Sequence, residues 1–461
     1  MKLHSLSKKI VTAVATVALL AVPLATTPFA TAAPSAAAPS AAAQKDVTKG
    51  WDKFYWGSAT AGFQVEGSNY DSNWLRYINC ESKKDPTKVN PVKNATDFRH
   101  RYKEDLGNAA WMGLNTFRIS MEWSRIEPKK GQWNWKEIHY YDDVIKTMRK
   151  HGMTPMITTV HYVYPGWVQD QGGFMNKTTL QDYQRFVNFL AKRYSGNGTM
   201  WITFNEPLVF FGHEVEIGNI TRADMAPFMK NVQAAHKIAY NTIKKYDKRA
   251  RIGSNEAYLP FVTSAADQFF FKPVEKELDF VGIDYYYTVA LSNLSAIYGA
   301  TSQFDKIDPQ PEGIYFAIQH FSEAFPDKPV YIVENGIPSY NGHRPDGFTK
   351  GDWLNDTVFW IQHAVADGYP VVGYNYWSIT DNYEWGQYDS RFGLYTVDVL
   401  KDPTLKRKPT DGPAAFRQIA KNGGVPQNYQ LKSPLRFCPL SEGLRSCVNP
   451  PRVYGPRAIL K

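Results

Sequence analysis

A single α/β domain folded as a closed (β/α)8, or TIM, barrel is the architecture the sequence predicts, on three observations. Eight short apolar runs alternate with amphipathic stretches between Trp51 and Val425. The runs are almost continuously apolar, as parallel strands buried on both faces must be. Polar residues gather at their C-terminal ends: Arg118, His161, Asn205–Glu206, Asp284–Tyr286, Glu334–Asn335, and Trp377 with Asp381–Trp385. In a barrel those ends converge on one pocket. No Gly-x-Gly-x-x-Gly follows the first run, so the rival open sheet that binds dinucleotides has no support.

In chain order the strands are expected at 55–59, 116–121, 154–160, 200–204, 251–255, 280–285, 330–333 and 372–377. Apolar residues at helical spacing place helices near 97–111, 136–150, 180–194, 225–246, 314–325 and 354–367, with a last one at 413–420. Asp97 and Asp352 are expected to be capping or first-turn acids, where a carboxylate meets free N–H groups.

The ends of the chain read differently. Lys2, Lys8 and Lys9 precede an apolar stretch from Ile10 to Ala25, and Ala30-Thr31-Ala32 offers a small-x-small cleavage site. Residues 1–32 therefore read as a signal peptide and the protein as secreted, its mature mass beginning at or near Ala33. Residues 33–50 begin with the uncharged run APSAAAPSAAAQ, a flexible linker. No later run is apolar and long enough to span a membrane. Residues 426–461 form a tail rich in Pro, Gly and Ser, with Cys438 and Cys447 nine positions apart. Export favours a disulfide between them, a clamp expected over the barrel bottom, and leaves Cys80 as an inert thiol.

The net charge of +9 falls to about +6 without the three leader lysines, and the remaining basic residues are scattered among acids. That excludes a nucleic-acid stripe. No Cys/His spacing resembles a metal site, and no cofactor is expected. Aromatic residues make up 15% of the chain. Beyond core packing, flat rings suit the C–H faces of sugars, which points weakly to a small-molecule glycoside or oligosaccharide as the partner.

Two strand ends carry the sharper signal. Glu206 closes Trp201-Ile-Thr-Phe-Asn-Glu-Pro207, and Glu334 closes Tyr331-Ile-Val-Glu-Asn-Gly336. A carboxylate ending a buried strand is costly unless solvated or partnered. Each of these stands beside Asn and is followed at once, or one residue later, by a residue that ends the strand. Glycoside hydrolysis needs such a pair, one carboxyl to protonate the leaving oxygen and one to attack the anomeric carbon or activate water.

Seven segments resemble the family 1 glycoside hydrolases, the β-glucosidase-like barrel enzymes. They are FYWGSATAGFQVEGS at 54–68, DFRHRYKEDLGNAAWMGLNTFRISMEWSRIEP at 97–128, TTVHYVYPGW at 158–167, TFNEP at 203–207, DFVGIDYY at 279–286, VENG at 333–336 and YWSITDNYEWGQYDSRFGLYTVD at 376–398. The resemblance implies a barrel over residues 51–425 and exo-acting retention through two glutamates, with Glu206 as acid/base and Glu334 as nucleophile. It also implies that Arg118 orients Glu334 and that Tyr286 bonds to it. Gln64, His161, Asn205, Glu384 and Trp385 would hold the sugar, with Trp377 as the stacking floor. Glu384 would repel a 6-phosphate, so neutral β-glucosides are the expected substrates.

Three departures accompany the likeness. Asp284 stands where the family usually has Asn, and a carboxylate there would repel an ionised Glu334. On that reading Asp284→Asn would move the acidic limb of kcat/KM to lower pH. Asp284 could instead be protonated, be turned towards Arg118, or mark a non-catalytic sugar-binding relative. The segments after Pro207 and between Ser254 and Phe280 are short, which predicts a wide entrance suited to a bulky aglycone such as a glycolipid, a natural-product glycoside or a disaccharide unit. The tail is the third departure.

Overall fold

The computed structural model describes residues 47–461, apart from 260–261, 291–292, 294, 297–303, 437, 440–446, 448–449 and 452. The expected leader and most of the linker lie outside the described residues. Residues 47–50 form a turn whose Thr48 carbonyl accepts from the Trp51 N–H.

Eight parallel strands close into a barrel in sequence order: β1 (Tyr55–Ala59), β2 (Thr116–Ser120), β3 (Thr154–Val160), β4 (Met200–Asn205), β5 (Arg251–Ala257), β6 (Val281–Tyr285), β7 (Val330–Asn335) and β8 (Val371–Trp377). Every expected strand is present within two residues of its expected ends. Tyr55, Met156, Met200, Ile202, Phe280, Tyr331, Val333 and Val372 fill the interior, and Trp51 closes it from below. Large rings fit there because glycines face them. A Cβ on Gly373 would lie 2.3 Å from the Tyr331 ring, and one on Gly253 would lie 2.8 Å from Phe280. The backbone approaches that closely only without a side chain.

The surrounding helices are α1 (Asn73–Lys84), α2 (Phe98–Trp111), α3 (Trp135–Lys150), α4 (Lys177–Tyr194), α5 (Pro207–Glu216), α6 (Met225–Tyr246), α7 (Gly313–Ala324), α8 (Lys350–Ala366) and α9 (Gly412–Asn422). The sequence pattern omits α1 and α5. Every residue of α5 from Pro207 to Glu214 is buried, so it carries no polar stripe to reveal its period. Its Pro207 occupies the first turn, where a missing N–H costs nothing. Asp352 acts as expected, in a reciprocal capping box with Thr349. Asp97 does not: it sits at the N-cap of α2 with φ 59° and makes no cap, and its carboxylate instead meets His100 Nδ1 at 2.6 Å.

Cys438 and Cys447 are bonded, and Cys80 is unpaired and exposed on α1. The tail is anchored to the barrel's helices by polar contacts. Asp356 of α8 accepts from Lys432 and Ser433 N–H groups, Glu312 accepts from the Arg436 N–H at 2.6 Å, and Pro439 bridges to Ala290. Further on, the Leu460 N–H donates to the Gly423 carbonyl at the end of α9, and Gln362 near the end of α8 donates to the Ala458 carbonyl at 2.8 Å. No described helix is long and apolar enough to cross a membrane.

Candidate active site

The C-terminal strand ends hold one continuous polar network. Register shifts fall just before Asn205, between β4 and β5, and just before Asp284, between β6 and β7. Such shifts re-aim side chains at a sheet end. Glu206 lies one residue past β4 in the left-handed region, with φ 40°. Backbone held there is strained and is retained where the surroundings fix it.

Arg118, fully buried on β2, organises the network. It donates Nη1 to Glu334 Oε1, Nη2 to Asn205 Oδ1 at 2.6 Å and Nε to Thr158 Oγ1 at 2.8 Å. Tyr286 donates its hydroxyl to the second Glu334 oxygen at 2.6 Å. Both oxygens of Glu334 are thus held, one of them by a permanent cation.

Glu206 has a different environment. Burial first, and then the charge of Glu334, push its pKa up to about 8, against hydrogen bonds from Tyr162 and Asn205 and the charge of Arg118. The two carboxyls thus have unlike surroundings, one held between Arg118 and Tyr286 and the other raised by burial.

The expected sugar-binding residues come together beside this pair. Glu384 accepts from Trp377 Nε1 at 2.8 Å and from Gln64 Nε2 at 3.5 Å, and Gln64 also donates to the Tyr383 carbonyl at 3.0 Å. Burial raises the Glu384 pKa to about 7. The His161 ring lies parallel to Trp377 with centroids 5.7 Å apart, and burial holds its pKa well below the ordinary range. His161 Nδ1 has no protein partner. Trp385 completes the rim, 5.5 Å from Tyr162 and 5.8 Å from Trp74. Asn205 is committed to protein on both sides, its amide nitrogen meeting Tyr162 at 2.8 Å and Glu206 at 3.3 Å. Among the described residues no cluster of His, Cys, Asp or Glu could hold a metal ion.

Asp284 points inwards and is buried, but its partner is Asn255 and not Arg118. Its second oxygen has no partner. Burial, and next the charges of Glu334 and Glu206, raise its pKa well above the carboxylate range. An unpartnered buried oxygen is tolerable on a neutral acid and costly on an anion. The geometry thus favours the neutral form of Asp284 beside Glu334. On this geometry the acidic limb of kcat/KM should barely move in Asp284→Asn, rather than shift to lower pH. Stability responds instead. A carboxyl whose folded pKa is raised gives stability that is complete below its unfolded pKa, near 4, and is lost as pH rises towards the folded value. The D284N variant should gain Tm over wild type progressively above about pH 4. Thermal melts of both proteins across pH check this; a Tm difference independent of pH contradicts it.

Sequence reasoning passed over Tyr162, Asn255, Glu256 and His213. Asn255 and Glu256 form an Asn-Glu pair near the end of β5, as Asn205 and Glu206 do at the end of β4, and that signal stands in the sequence. Asn255 links Asp284 to Asn205, and buried Glu256 accepts from the Leu208 N–H at 2.8 Å. Tyr162 follows His161 directly, in a segment whose pattern drew attention only to the histidine. His213 lies on α5, which was unseen.

A barrel whose strand ends bring two buried carboxyls together with Gln64, His161, Trp377, Glu384 and Trp385 has the residues that glycoside hydrolysis needs. Comparison with known proteins agrees. The glycosyl hydrolase family 1 model matches residues 51–268 and 241–425. Beta-glucosidase A of Thermotoga maritima is 26% identical, over 82% of this chain and 99% of that protein. Beta-glucosidase 7 of Arabidopsis thaliana is 26% identical, over 77% of this chain and 87% of that protein. The solved family 1 β-glucosidase from Thermotoga maritima superposes with a TM-score of 0.69 at 26% identity, covering 81% of this chain and 99% of that one. The chain belongs to glycosyl hydrolase family 1 and is a retaining β-glycosidase.

Proposed function

We propose that the enzyme removes glucose from non-phosphorylated β-D-glucosides by double displacement, with Glu334 as nucleophile and Glu206 as general acid and then base. The observation that carries this reading is the contrast between the two carboxyls. Glu334 is held at both oxygens by Arg118 and Tyr286, whereas Glu206 is pushed up to about 8. Relatives named as β-glucosidases support glucose as the sugar. Glu384, beside Gln64 and Trp377, supports a neutral ring, because even partial negative charge there opposes a 6-phosphate.

A panel of aryl β-glucosides, β-galactosides, β-fucosides and 6-phospho-β-glucosides tests the assignment. The expected kcat/KM for the glucoside exceeds that for its 6-phosphate by at least about a hundredfold, the size of a 2–3 kcal/mol discrimination. Equal values, or preference for the phosphate, would overturn it. The short segments around α5 and after β5 favour bulky aglycones on the same sugar. Equal or lower kcat/KM for bulky than for small aglycones would remove that refinement.

A further inference from the structure

We propose that Tyr162 is a positioning residue that fixes the transferable proton of Glu206 on Oε1 and stabilises the carboxylate left after transfer. This rests on the acid/base role proposed for Glu206.

The argument is one of hydrogen-bond direction. A guanidinium can only donate, so Arg118 Nη2 fixes the oxygen of the Asn205 amide towards itself. Asn255 Nδ2 donates to that same oxygen at 2.8 Å. The Asn205 NH2 group must then face the other way, where it donates to the Tyr162 hydroxyl oxygen at 2.8 Å. With its oxygen accepting, Tyr162 turns its own proton to Glu206 Oε2. Asn205 Nδ2 also approaches Oε2, at 3.3 Å. An oxygen receiving donors from two sides cannot itself carry the acid proton, which is left on Oε1. When that proton passes to the leaving oxygen, the developing charge on Glu206 is met by a donor already in place.

The phenol is held for this task. Its ring lies 4.9 Å from His161, 5.5 Å from Trp385 and 5.8 Å from His213, and residue 162 is itself left-handed with φ 65°. Burial keeps the phenol pKa well above the ordinary value, so Tyr162 remains a donor throughout the working range. The other ionisable or charged groups facing Glu206 are Arg118 from β2, Glu256 from β5, Asp284 and Tyr286 from β6 and its loop, and Glu334 from β7, while His161 from the end of β3 stands against the Tyr162 ring. His213 from α5 stands behind the Tyr162 ring.

The test compares Tyr162→Phe with wild type on two β-glucosides of the same sugar, one with a dinitrophenolate leaving group and one with phenolate. Loss of the donor should move the basic limb of kcat/KM up by about one pH unit. It should also cost the phenyl substrate about tenfold more than the dinitrophenyl one, which needs little acid assistance. Replacement of Tyr162 by 3-fluorotyrosine, which keeps the shape and strengthens the donor, should move the limb down, and it serves as the readout if the phenylalanine variant does not fold. An unmoved limb with equal losses on both substrates would overturn the proposal. Glu206→Gln on the same pair separates the two readings. Without leaving-group dependence there the acid/base role itself fails; with it, a flat Tyr162→Phe result sinks only the role of Tyr162.

Discussion

Replacement of Glu334 by Ala should reduce kcat for every β-glucoside by at least about 10⁵-fold, on the order of 7 kcal/mol, whatever the leaving group. The step lost is formation of the bond to the anomeric carbon, and no neighbouring group can take it over. Burial is the largest cause raising Glu206, Glu256 and Asp284, and it persists when the charge of Glu334 is removed. Protonated acids are poor nucleophiles. The truncated side chain leaves space on the face opposite the leaving group, between Arg118 and Tyr286. Added azide should enter there and displace the leaving group once, giving the α-glycosyl azide. Kinetics with and without azide, and the anomeric coupling of the product, check the expectation. A β-glycosyl azide would show that the role assigned to Glu334 is wrong.

Replacement of Glu206 by Ala should divide substrates by leaving group. For phenyl and alkyl glucosides the loss should be about 10²–10⁴-fold, the usual contribution of a positioned general acid. For dinitrophenyl glucosides the first step survives, and the glycosyl-enzyme then accumulates for want of a base to activate water. Azide needs no base, so it should release the β-glycosyl azide. The pH profile supplies a second reading. Wild-type kcat/KM should fall above about pH 8, where Glu206 loses its proton, and that limb should vanish in the variant. A basic limb unchanged in Glu206→Ala would assign the acid to another group.

Much of this is legible in the sequence. The strands were readable because a strand buried on both faces has to be apolar nearly throughout, and a polar residue at its end then stands out. That contrast exposed Glu206, Glu334 and Asp284, whereas Arg118, the third of the five residues of β2, stands out only as a charge within an apolar run. The helix carrying His213 was not readable, because burial on all sides erases the polar stripe that marks a helix. Direction was not readable either. That Asp284 meets Asn255 of β5 and not Arg118 of β2 depends on how separate strands pack, and no residue pattern announces it. The hydroxyl of Tyr162 was hidden for a related reason: an aromatic residue beside a strand end looks like packing until its hydrogen bond to Glu206 is seen. Residues 1–32 remain a reading from sequence, in keeping with export and with the bonded Cys438–Cys447 pair.

The most direct test of the central claim is to trap the covalent intermediate. A 2-deoxy-2-fluoro-β-glucoside with a good leaving group should inactivate the enzyme with time, because the fluorine slows both steps while the leaving group preserves the first. Proteolysis and mass spectrometry of the inactivated protein should then place one fluoroglucosyl group on the peptide containing Glu334. A label on the peptide containing Glu206, Glu256 or Asp284, or turnover without any label, would contradict the account.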